Sequence, residues 1–223
     1  MKRILRENGL SIVWLGLFFV ALIAGQTVSG YLQYNEEQRD HRQAEVSYFE
    51  YLTTPHFVEA TMENWESEFL QMFLFITLTS FLYQKGSAES KKLDEEEAVD
   101  REPRQSKDKK DAPFPVRKGG VILKLYEYSL SLAFLILFII CFFLHAAGGA
   151  REYNQEQLEH GSAGLVSTLQ YLAGSRFWFE SFQNWQSEFL AVGLMVVLSI
   201  WLRQKGSPES KPVDAPHSQT GKE

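Results

Sequence analysis

The sequence predicts an all-α integral membrane protein. Four transmembrane helices form two tandem, parallel two-helix repeats, with short amphipathic outer helices. Three observations predict this. Apolar residues gather into long runs, charged residues fill the gaps between them, and the chain is written twice. Asn64-Trp65-Glu66-Ser67-Glu68-Phe69-Leu70 returns as Asn184-Trp185-Gln186-Ser187-Glu188-Phe189-Leu190. Gln84-Lys85-Gly86-Ser87-Ala88-Glu89-Ser90-Lys91 returns as Gln204-Lys205-Gly206-Ser207-Pro208-Glu209-Ser210-Lys211. The offset is 120 residues from Val46 to Asp94 and 119 upstream. There Gly30, Tyr34-Asn35 and His41 match Gly149, Tyr153-Asn154 and His160, and the second copy carries one extra residue near 161–165. A long fixed period that survives in loops as well as apolar runs marks an internal duplication.

Average composition hides this pattern. Of 223 residues, 45% are hydrophobic and 22% charged, and the mean hydropathy of -0.20 alone would suggest a soluble protein. The net charge of -6 sums over two sides of a membrane and excludes little. Cys141 is the only cysteine, so no intrachain disulfide can form. It sits in an apolar run, where a thiol packs as a small hydrophobe.

Residues 1–86 read as the first helical hairpin, with spans at about 10–32 and 66–83. Residues 119–206 read as the second, with spans at about 126–150 and 186–202. A bilayer core needs roughly 20 residues of helix. The first and third runs reach this outright. The second and fourth are short as strictly apolar runs, so each is expected to extend upstream. Thr54-Pro55 offers an N-cap with proline at the first helical position, and Gly174-Ser175 offers the matching start. Gly86 and Gly206 are expected to end these helices, each after a lysine in the last turn.

The N-terminal stretch, with three basic residues ahead of an apolar run, also fits a signal peptide. The repeat favours a retained helix, because the third span holds the same place deep inside the chain. Residues 87–118 are rich in Lys, Glu, Asp and Pro and are expected to be a disordered charged linker. Residues 207–223 are expected to be a disordered tail. The linker region holds eleven basic residues between Gln84 and Lys124 against nine acidic ones, which argues against a strong polybasic lipid switch.

All twelve lysines lie near the N-terminus, in the linker with its flanks, or in the tail. The two remaining connections carry only Arg39, Arg42, Arg151 and Arg176. The positive-inside rule puts both termini and the linker in the cytoplasm. Each outer connection holds a capping-box pattern, Ser47-x-x-Glu50 and Ser167-x-x-Gln170. Val46, Phe49 and Leu52, like Val166, Leu169 and Leu172, follow near helical spacing. A short amphipathic helix is expected in each.

Asn64, Ser67, Glu68 and Gln71 share one helix face, and Asn184, Ser187 and Glu188 repeat most of it. A carboxylate at the centre of a membrane helix costs roughly 2.5–3.5 kcal/mol on insertion scales. One retained in each copy needs a partner or a wet cavity. The plainer reading is a polar pin between helices at the interface, and the sharper one is a shared proton or cation between Glu68 and Glu188. Trp65, Trp185 and Trp178 are candidate interface anchors, the last within the aromatic cluster Arg176-Phe177-Trp178-Phe179-Glu180. Glu37 with His41, and Glu156 with His160, are spaced four apart and offer candidate metal ligands. Solvated helix ends explain the same residues.

The duplicated Asn-Trp-x-Ser-Glu-Phe-Leu and Gln-Lys-Gly-Ser-x-Glu-Ser motifs resemble a family of small bacterial multi-pass membrane proteins catalogued only as a domain of unknown function. The likeness extends to Phe177-Trp178-Phe179-Glu180-Ser181 and Pro216-His217. It implies a bacterial inner (plasma) membrane and brings no activity or catalytic residues.

No phosphate loop, paired CxxC or nucleophile with a base is evident, so no catalytic residue and no cofactor is expected, and nucleic-acid binding has no support. The expected surroundings are the lipid bilayer, with a membrane protein partner or a homo-oligomer. Three functions follow in order: a structural or accessory, partner-binding protein; a small-solute, ion or proton carrier or channel using Glu68 and Glu188; and a membrane enzyme with a metal at the outer face.

Overall fold

The computed structural model describes residues 2–161 and 164–222, so the extra residue of the second copy falls partly outside them. Among the described residues there is helix and turn but no strand. The helices are α1 (Lys2–Phe19), α2 (Val28–Asp40), α3 (Tyr48–Tyr51), α4 (Pro55–Leu78), α5 (Phe114–Lys118), α6 (Gly120–Glu127), α7 (Ser129–Glu159), α8 (Thr168–Leu172) and α9 (Ser175–Leu198). A π-helical stretch, Val20–Thr27, joins α1 to α2. Hydroxyls on this stretch and just beyond it bond backward: Thr27 Oγ1 donates to Ile23 O at 2.7 Å and Ser29 Oγ to Gly25 O at 2.6 Å. Such back-bonding competes with the regular helical ladder and loosens it.

Among the described residues, two helices are long and apolar enough to cross a membrane: Arg3–Asp40 and Ser129–Glu159. Helices α4 and α9 have 24 residues each, about 36 Å at 1.5 Å per residue, against a hydrocarbon core of about 30 Å. Length therefore admits them and composition does not. Glu59, Glu63, Glu66 and Glu68 load α4, while Arg176, Glu180 and Glu188 load α9.

The chain divides into two compact units. The first comprises Met1–Met62 and Leu144–Ala173. Its short helices form where the capping boxes predict them. Ser47 N donates to Glu50 Oε2 at 2.7 Å, and Glu50 N to Ser47 Oγ at 3.4 Å. The Ser47 backbone N–H holds the exposed Glu50 carboxyl below its usual range. Ser167 and Gln170 cap α8 in the same way.

Each loop is then latched to the preceding helix by one asparagine. Asn35 accepts from Val46 N at 2.9 Å and donates to Val46 O at 3.0 Å. Asn154 does the same with Val166 at 2.7 and 2.8 Å. Each amide satisfies the two backbone groups of a half-buried valine that no helix or sheet pairs. Gly30 and Gly149 clear space for a tyrosine. A Cβ at Gly30 would stand 2.1 Å from the Tyr51 hydroxyl, and one at Gly149 would stand 2.5 Å from the Tyr171 ring.

The second unit comprises Glu63–Phe143 and Gly174–Glu223. Here α4 stops at Leu78 and α9 at Leu198, short of the glycines the sequence points to. The cause at α4 is a pair of hydroxyls. Thr79 Oγ1 donates to Phe75 O at 2.7 Å and Ser80 Oγ to Thr77 O at 2.6 Å, and the chain then turns. Gly86 and Gly206 instead bend the loops beyond, at φ of 86° and 82°, a left-handed geometry that glycine adopts without strain.

The repeated Gln-Lys-Gly-Ser-x-Glu-Ser-Lys motif folds alike in both copies. Gln84 N and Gln204 N each donate to a serine hydroxyl six residues on, Ser90 and Ser210, at 2.9 Å. The tail returns to the first of these loops. Gly221 N donates to Ser87 O at 2.9 Å, Gly86 N to Thr220 Oγ1 at 2.9 Å, and Ser87 Oγ pairs with Ser199 Oγ at 2.9 Å. Lys211 is buried, and its ammonium donates to the carbonyls of Gly86, His217 and Gln219. Burial lowers its pKa, with nearby Arg203 adding to the effect.

Replacing Asn35 or Asn154 by alanine should leave the backbone of Val46 or Val166 without its partner. Each change is expected to destabilise by about 1–3 kcal/mol. Thermal unfolding in detergent checks this, and an unchanged melting curve would contradict the latch.

Candidate functional site: buried polar groups of the helices

In the second unit, one face of α4 meets one face of α9. Glu63 and Glu66 lie three apart on α4, while Ser181, Asn184 and Trp185 lie at i, i+3 and i+4 on α9. That spacing stacks side chains on one helical stripe. Glu66 is fully buried. Its Oε1 accepts from Ser181 Oγ at 3.0 Å and from Trp185 Nε1 at 3.3 Å. Asn184 Nδ2 donates to Glu63 Oε1. Aromatic rings surround the group. Phe182 and Phe138 stand 5.3 and 6.2 Å from Trp185, and Phe142 stands 5.0 Å from Phe177. A carboxylate in such surroundings is held by directed donors, which keeps its free oxygen positions few and fixed.

The residues expected from sequence fall around this centre. Ser67 is buried and donates to Asn64 O at 2.8 Å; Ser187 is exposed and makes the same bond to Asn184 O at 2.8 Å. Gln71 Nε2 donates to the backbone oxygen of Glu188 at 3.3 Å. Asn64 and Glu68 are exposed and Glu188 is half-buried. Trp65 and Trp185 are half-buried, and Trp178 stacks edge-on with Trp185 at 6.2 Å.

Sequence reasoning passed over Glu63 and Glu66 because the second copy reads Gln183 and Gln186 in their places. Weighting residues kept in both copies selected Glu68 and Glu188 instead. The signal was the stripe Glu59, Glu63, Glu66, at i, i+4 and i+7 on one face.

In the first unit, Glu37 and His41 sit at the end of α2, and Glu156 and His160 at the end of α7. His41 Nδ1 pairs with Glu37 O at 3.0 Å, and His160 Nδ1 with Glu156 O at 2.7 Å. Both rings are exposed. They close helix ends by capping the last carbonyls, which leaves Nε2 of each ring facing outward. His56 stands apart, with ring centroids 5.5 Å from Tyr34 and 6.2 Å from Tyr51. Burial raises the pKa of the Tyr51 hydroxyl, and the Glu37 charge adds to the effect.

Glu66→Ala should strand the Ser181 hydroxyl and the Trp185 indole N–H, at a cost of about 1–3 kcal/mol. Glu66→Gln keeps an accepting oxygen and should cost much less. Thermal unfolding, read alongside tryptophan emission, distinguishes the two. Equal losses for both substitutions would mean that charge, not hydrogen bonding, holds the contact.

No curated protein and no solved structure matches the chain. A family profile matches residues 1–222. The chain therefore belongs to the family described as a domain of unknown function, DUF6766.

Proposed function

We propose that the chain is a multi-pass inner-membrane protein with a structural or accessory role, binding a protein partner or a second copy of itself within the bilayer. In this reading α4 and α9 cross the membrane beside the two longer helices. Residues 1–86 and 119–206 are two parallel hairpins of a four-helix bundle. Residues 87–118 and 207–223 face the cytoplasm together with the N-terminus. The observation that carries it is the first long helix. Leu10, Val13, Trp14, Leu15, Leu17 and Phe19 are all exposed. An apolar surface this continuous is not left against water, so it faces lipid or a partner.

A second reading, movement of a proton or small cation, draws support from two features of the second unit. Glu66 is fully buried, and Gln71, three residues on from Glu68, donates to the backbone oxygen of Glu188. Intramembrane carboxylates of this kind accompany ion pathways.

The test uses single cysteines placed in a Cys141→Ser background. A cysteine at position 44 should react with an impermeant reagent from outside intact cells. One at position 100 should react only after lysis. A photo-crosslinking residue at Trp14 or Phe18 should capture a discrete membrane protein or a second copy. Crosslinks to lipid alone would contradict the partner, and the reverse labelling pattern would invert the topology. Liposomes carrying Glu66→Gln test the second reading: flux equal to that of the unsubstituted protein would end the role of Glu66.

A further inference from the structure

Three helices of the first unit bring together Glu59 from α4, His145 from α7 and Tyr171 from α8. A carboxylate oxygen of Glu59 and a ring nitrogen of His145 lie within 4.8 Å of each other. The Tyr171 hydroxyl donates to Glu59 Oε1 at 3.2 Å. Exposures of 9%, 0% and 4% put all three out of water. Two glycines make the approach possible. A Cβ at Gly148 would stand 2.9 Å from Glu59 N and 3.1 Å from its Cα, and one at Gly149 would meet the Tyr171 ring. Neither position tolerates a side chain, so the backbone itself delivers the carboxylate and the phenol to a point one turn beyond His145.

The duplication adds an independent argument. Residues that serve packing recur: Gly30 with Gly149, Tyr51 with Tyr171, Asn35 with Asn154. The acid and the imidazole do not. Gln26 stands where the second copy has His145, and Phe179 stands where the first has Glu59. Gln26 Nε2 donates to Thr61 Oγ1 at 2.9 Å, a neutral pair. Shape alone is therefore served without titratable groups, and burying two of them once, side by side, costs stability that the scaffold does not require.

We propose that Glu59 and His145 supply the ligands of a binding site for a divalent transition-metal ion of the zinc class, with Tyr171 holding the Glu59 carboxylate in place through its hydrogen bond. Imidazole and oxygen donors mixed in this way suit zinc, manganese or iron better than calcium or magnesium, which favour oxygen alone. Ligand bonds of roughly 2.0–2.2 Å leave donor atoms on one ion roughly 3–4 Å apart. The Tyr171 hydroxyl, by donating to Glu59 Oε1, fixes the carboxylate, and the Glu59–His145 pair, within 4.8 Å, needs only a small inward adjustment. The site is distinct from His41 and His160, whose rings are exposed at helix ends.

The test is a zinc titration of the full-length protein, purified in detergent and stripped with chelator. Calorimetry should give one ion per chain, retained through desalting. Glu59→Gln should weaken binding at least tenfold. So should His145→Gln, which imports the first copy's own residue. His41→Ala with His160→Ala should leave affinity unchanged. Zinc should also raise the unfolding temperature of the unsubstituted protein and not that of Glu59→Gln. That comparison is read on the parent fold as well as on the variant, so a variant that folds poorly does not decide the matter. Absence of stoichiometric zinc would overturn the site. So would unchanged affinity in Glu59→Gln and His145→Gln, or binding lost only with His41 and His160.

Discussion

A buried polar group must be met by a partner, and in a chain this apolar the requirement falls on a few helix faces. Water is scarce where Glu66 lies, so an unmet carboxylate there would cost several kcal/mol, about the scale of a whole domain's net stability. The hydroxyl of Ser181 and the indole of Trp185 answer it. Much follows from that demand. The acidic face of α4 and the Ser-Asn-Trp face of α9 must turn toward each other, which commits their remaining apolar faces outward. The same rule explains why these two helices fall short on hydropathy while keeping the length to span. Glu59 and Glu66 of α4 and Ser181 of α9 are buried against protein, whereas Asn64, Glu68 and Ser187 are exposed.

In the first unit backbone groups make the same demand, and side-chain amides meet it. Asn35 and Asn154 each close a loop by satisfying both groups of one peptide position. Gly30 and Gly149 each admit a tyrosine too close for any Cβ. Matching residues of the two sequence copies thus make matching contacts. Departures from that pattern are the buried titratable groups: Glu66 against Gln186, His145 against Gln26, and Glu59 against Phe179.

Local features were legible in the sequence. Both capping boxes, the Thr54-Pro55 and Gly174-Ser175 helix starts, and the first and third long apolar helices follow from short-range signals that the backbone obeys directly. Helix ends were not legible, because lysine followed by glycine outweighs in pattern the hydroxyls of Thr79 and Ser80 that act earlier. Glu66 was hidden by looking for residues shared between copies, when the buried acid is one the copies do not share. The pairing of the tail with the first Gln-Lys-Gly-Ser loop left no sequence signal at all. Lys211 reads as a solvated lysine, and only three converging carbonyls more than a hundred residues away or beyond a turn explain its burial. Contacts of that kind have no period and no composition.

The central claim is that α4 lies in a bilayer despite its glutamates, with an inner polar face and an outer lipid face. A nitroxide scan from Met72 to Leu78, read as collision with oxygen against a water-soluble nickel chelate in liposomes, tests it most directly. The account predicts oxygen contact that dominates on one face, rises toward mid-helix and oscillates about every 3.6 residues. High nickel accessibility along the whole scan, with no such oscillation, would place α4 outside the membrane and contradict the account.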